Sequence, residues 1–116
     1  MKDIERKIQY GDMEYTLVFN LNVMEEIQEE YGSLDKWADL TDGSGGHEPN
    51  AKAIIFGFRA MLNEGIDIDN DRYGLDAKPL TLKQAGRIIT KISLENATSV
   101  LNQTVIDSTR STEKNV

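Results

Sequence analysis

Ile4-Glu-Arg-Lys-Ile-Gln-Tyr-Gly-Asp-Met-Glu-Tyr-Thr-Leu-Val-Phe19 opens the chain with two alternating runs around a single Gly-Asp pair. Ile4, Ile8 and Tyr10 alternate with Glu5, Lys7 and Gln9. Met13, Tyr15, Leu17 and Phe19 alternate with Glu14, Thr16 and Asn20. A period of two is the period of a half-buried strand, so the stretch predicts a β-hairpin. A two-residue loop with Gly first suits a type II′ turn. That register sets Tyr10 against Met13, Ile8 against Tyr15 and Ile4 against Phe19, all on one face. Arg6 opposite Leu17 is the polar exception, and its aliphatic stem can lie along the sheet.

Beyond Asn20 the period changes to that of helices. Asn22 is the expected cap of a short helix, with Glu25 completing a capping box. Met24, Ile27 and Tyr31 form its apolar stripe, with Val23 beside it and Glu25, Glu26, Glu29 and Glu30 opposite. Gly32 ends it, and Ser33 caps another short helix through Leu34, Trp37 and Leu40. Thr41 to Pro49 reads as a loop by composition. A central helix is predicted from about Asn50 to Asn63, with Ala51, Ile54, Ile55, Phe58, Met61 and Leu62 on one face and Phe56 off it. Gly65 to Pro79 reads as a long Asp-rich connection. Thr81 and Gln84 form a capping box for a helix whose stripe is Leu82, Ala85, Ile88, Ile89 and Ile92. Ser93 caps a last helix carrying Leu94, Ala97, Leu101 and Val105, unless 82–108 is one bent helix. The expected fold is α+β, mostly α-helical: an N-terminal hairpin followed by four to five helices. Residues 1–108 are read as one domain and 109–116 as a flexible polar C-terminal tail.

The 116 residues fit one compact domain able to bury roughly two thirds of its unfolded surface. There is no cysteine, which excludes disulfides and thiolate metal sites and points to a reducing compartment. Met1 to Arg6 lacks the apolar segment of a secretory signal, and no apolar run reaches the roughly 20 residues of a membrane span. A net charge of −7 with no Lys/Arg cluster argues against nucleic acid, whose phosphates need basic side chains. Neither nucleic acid nor membrane is therefore an expected partner.

Catalytic and metal chemistry find little support in the residues. Asp67, Asp69 and Asp71 alternate like the opening of a calcium loop, but Arg72 and Lys78 stand where that loop needs Gly and Glu. A solvated acidic stretch is the better reading. His47 is the single histidine and lies in a loop. Ser44-Gly45-Gly46 lacks the preceding strand and following Lys-Ser/Thr of a phosphate-binding loop. No nucleophile elbow or dinucleotide fingerprint occurs. The chain is expected to have no catalytic residues, no cofactor and no metal. What remains is surface for partners. Trp37 in its short helix, Phe56 off its helix stripe, and Val100 and Ile106 beside the last stripe are the expected partner-binding residues.

Four pieces in order carry a family resemblance: Tyr15-Thr-Leu-Val-Phe-Asn-Leu-Asn22, Met24-Glu-Glu-Ile-Gln-Glu-Glu-Tyr-Gly32, Ile54-Ile-Phe-Gly-Phe-Arg-Ala-Met-Leu62 and Leu80-Thr-Leu-Lys-Gln-Ala-Gly-Arg-Ile-Ile89. Across residues 4–108 the chain resembles the tail assembly chaperones of long-tailed, siphovirus-type bacteriophages of Gram-positive hosts, in element order and style. The resemblance implies a non-catalytic protein of the bacterial host cytoplasm. Such a protein binds the aggregation-prone tape measure protein, keeps it soluble while the tail tube assembles, and is absent from the mature virion. It also implies the tail tube protein and a longer, frameshifted form of the chain as further partners. Many members are made in two lengths by a −1 ribosomal frameshift, and Glu113-Lys114-Asn115 is a hypothetical slip site if encoded GAA-AAA-AAC or GAA-AAA-AAT. Reading the gene decides this: other codons, or no open −1 frame beyond, would sink it. Two other classes are a virion structural protein (a tail tube or head–tail connector subunit) and a small acidic regulatory protein that binds a host protein.

Overall fold

Gly11 closes the hairpin with φ of +61°, while Asp12 keeps a negative φ, the combination a type II′ turn requires. In this computed structural model, which describes residues 4–42 and 48–110 together with Met1 and Gly46, β1 spans Ile4–Tyr10 and β2 spans Met13–Phe19. Their antiparallel register is the one the alternation predicts: Tyr10 opposes Met13, Ile8 opposes Tyr15, Arg6 opposes Leu17 and Ile4 opposes Phe19. The Arg6 guanidinium, on the apolar face, pairs with Asp107. The second half of β2 is buried more fully than alternation predicts, since Thr16 and Val18 are covered as well as Leu17 and Phe19.

Among the described residues five α-helices follow, so the fold is α+β and mostly helical. The first, α1 (Leu21–Tyr31), is capped by Asn20 and not by Asn22. Asn20 keeps the extended backbone of the strand it follows, and its side chain accepts from the Val23 amide at 3.2 Å. Asn22 instead lies in the first turn, where it and Asn20 both donate to the Glu64 carboxylate. Gly32 and Ser33 end α1 and cap α2 (Leu34–Thr41) as expected. The Asn50 amide then donates to the Leu40 carbonyl at 2.7 Å, drawing the ends of the following loop together.

The largest departure from the expected fold is the length of α3, which runs from Ala51 to Tyr73. Residues 65–73 are therefore helix and not part of a long connection. Gly65 does not stop the helix: a Cβ there would lie 2.1 Å from the Thr16 carbonyl oxygen, so its role is to let α3 touch β2. The stop is Gly74, in the left-handed conformation. From there the chain returns along α3, tied at two rungs. Asn70 exchanges two hydrogen bonds with the backbone of Ala77, and Asn63 does the same with Leu80. Seven helical residues rise about 10.5 Å and three extended residues about 10 Å, so the two rungs match in length.

Thr81 and Gln84 form the expected capping box of α4 (Leu82–Ile92). Ser93 then breaks the helix with φ of +85°, and its hydroxyl accepts from the Asn96 amide to start α5 (Leu94–Arg110). The two helices are separate. Thr109 and Arg110, expected in the tail, are helical; residues 111–116 lie outside the described residues. The core centres on α3, where Ile54, Phe58, Met61 and Leu62 meet Leu17, Phe19, Ile27, Trp37 and Leu101.

Candidate partner-binding surface

The inner positions of α1, Val23 and Ile27, are fixed in the core, which leaves Glu25, Glu26, Glu29 and Glu30 as an outward row. Glu25 and Glu29 are spaced by four, as are Glu26 and Glu30, so each pair shares one helix face. Beside this row α3 presents Phe56, half-buried. The Tyr31 ring meets it edge-on at 5.5 Å, and the Arg59 guanidinium lies 5.8 Å over its face while reaching Glu26 at 3.6 Å. An aromatic face attracts a cation through its quadrupole, so Arg59 marks where a positive group is stabilised. Burial, and secondarily the charge of Glu30, raise the Tyr31 phenol above its usual 10.0. Asn22, the four glutamates and Phe56 enclose a groove of about 420 Å³.

Ile55, one residue earlier, points about 100° away around the helix and meets α4 instead. There Ile55, Lys83, Gly86, Arg87 and Thr90 line a second groove of about 460 Å³. Among the described residues no ion pair engages Lys83, Arg87 or Lys91. The outward face of α3 thus has an acidic, aromatic groove on one side and a basic, aliphatic groove on the other.

The structure does not bring the four expected contact residues together. Trp37 is fully buried over Gly57, and its indole N–H donates to the Ala53 carbonyl at 2.9 Å. It therefore offers no surface to a partner in this conformation, and its place is in the core. Its helix is short, but both the ring and its polar atom are satisfied inside. Phe56 lines the acidic groove. Val100 packs half-buried against the core edge, while Ile106 points outward from α5 with 44% of its surface exposed. Sequence reasoning missed Ile55, Lys83 and Arg87, and treated the glutamate row as a solvated face. The available signal was opposite charge on two helices whose stripes both needed α3.

Asp67, Asp69 and Asp71 lie on the last turns of α3, and no group of three or more His, Asp or Glu side chains among the described residues is placed to hold a metal ion. His47 lies outside those residues. Among them no helix is long and apolar enough to cross a membrane. Comparisons with protein-family models, curated proteins and solved structures returned no match.

Proposed function

We propose that this chain is a non-catalytic tail assembly chaperone that binds the phage tape measure protein in the host cytoplasm and leaves before the virion is complete. The proposal stands on the resemblance carried by the four sequence pieces and on one structural observation, the Phe56 groove. A half-exposed aromatic floor between two helices, rimmed by glutamates at helical spacing, suits an amphipathic client helix that brings apolar anchors and Lys or Arg together. Each such contact is weak. A long client offers many copies of the same helical pattern, and repeated engagement along it raises the overall strength of binding.

Co-expression with the tape measure protein of the same phage, with the gene left free to frameshift, tests this reading. A soluble complex that co-purifies on size exclusion is expected, with the chain missing from mass spectra of purified virions. A tape measure protein that stays insoluble, together with recovery of this chain from the virion, would replace the chaperone reading with that of a structural subunit.

A further inference from the structure

We propose that the outward face of α3, with the grooves beside it, is a self-association surface whose partner is a second copy of this chain related by a two-fold axis. Across this face the order is glutamates of α1, then Phe56 and Ile55 of α3, then Lys83 and Arg87 of α4. An isologous interface uses the same patch on both copies, so the patch must complement itself. A strip that is acidic on one side and basic on the other meets that demand for one choice of axis. A two-fold axis parallel to α3 sets acid against base on both sides, whereas an axis across α3 sets acid against acid. The parallel axis seats α4 of each copy along the acidic groove of the other, where Lys83 and Arg87 reach Glu25, Glu29 and the Phe56 face.

The size of the surface limits the strength of the dimer. Ten residues of α3 span about 15 Å, and three helices side by side span about 30 Å, which gives roughly 450 Å² per copy. The total of about 900 Å² falls below the 1,200–2,000 Å² typical of stable complexes, so the dimer is a weak and reversible one. The net repulsion of two chains at −7 each is screened beyond a Debye length of about 8 Å at physiological ionic strength, while the facing ion pairs lie inside it. This inference does not rest on the identity of the client. If the client also takes the Phe56 groove, the two occupants exclude each other, and the dimer is the form without client.

Sedimentation equilibrium of the whole chain alone, with two double variants, tests it. Lys83, Arg87, Glu25 and Glu29 are all exposed, so their reversal leaves the core intact. The wild type is expected to form dimers that dissociate on dilution and do not grow further. K83E/R87E and E25K/E29K should each associate at least tenfold more weakly, and an equimolar mixture of the two should regain dimers. A wild type that stays monomeric up to about 1 mM would overturn the proposal. So would open growth beyond two copies, or reversals that change nothing, alone or mixed. No tape measure protein is present, so the result is independent of the chaperone test.

Discussion

The two halves of α3 obey the same backbone rule and are held by opposite means. From Ala53 to Gly65 the helix is walled in: Ala53, Ile54, Gly57, Phe58, Ala60, Met61, Leu62 and Gly65 are buried, and two glycines admit the Trp37 ring and the Thr16 carbonyl. From Ile66 to Tyr73 no residue is fully buried. There the helix is held at its edges, by the Asn70–Ala77 rung, the Arg72–Glu5 ion pair at 3.3 Å and the Gly74 stop. Once a helix is nucleated, each added residue gains a hydrogen bond, so a polar stretch can continue one that a buried stretch has started. The buried half stabilises the domain and positions Ile55 and Phe56; the exposed half clamps the return to α4.

The largest expected break falls in the buried half. Trp37→Ala removes a fully buried ring and its hydrogen bond to the Ala53 carbonyl, and should cost about 3–5 kcal/mol in chemical denaturation. Gly65→Ala comes next. Its Cβ would press on backbone that cannot swing aside, and a loss of about 1–3 kcal/mol is expected. Exposed Asp67→Ala, two residues on, should stay within about 0.5 kcal/mol. If Gly65→Ala and Asp67→Ala cost the same, the contrast between the halves fails. Asn70→Ala removes one rung and should lower global stability by about 1 kcal/mol. Hydrogen exchange should show the faster opening at residues 66–73 and not at 53–62.

A substitution with no expected loss concerns Tyr31, beside Phe56. Its hydroxyl is buried without a partner, so Tyr31→Phe should be neutral or stabilise by up to about 1 kcal/mol at neutral pH. The phenol's pKa is raised on folding, so the fold holds this proton more tightly than the unfolded chain does. That contribution is present below pH 10 and is lost as pH rises through the folded value. Thermal melts between about pH 9 and 11 should therefore fall more steeply for the wild type than for Tyr31→Phe.

The hairpin and the helix order were legible because period and turn chemistry are local. Gly11-Asp12 sets the register by itself, and Thr81 with Gln84 announces α4 by reciprocal capping. The length of α3 was not legible, because Gly65 carries the mark of a helix stop until Thr16 is seen against it. Trp37 misled for a related reason: a large apolar residue in an eight-residue helix looks like surface until Gly57 is found to leave room for the ring. The two grooves were hidden because each is made by a pair of helices, and only packing on α3 brings the glutamates of α1 beside Phe56 and the cations of α4 beside Ile55. Asn20 and Asn22 could not be told apart as caps without knowing where β2 ends.

Both proposals seat a partner along the outward face of α3. Backbone amide shift mapping tests this most directly, by titrating a soluble helical fragment of the tape measure protein into the isotope-labelled chain at concentrations where the chain alone is monomeric. Shifts are expected to concentrate at residues 22–30 and 52–59, and Phe56→Ala should weaken the binding at least tenfold. Binding that shifts only the hairpin or α5, or that Phe56→Ala leaves untouched, would contradict it.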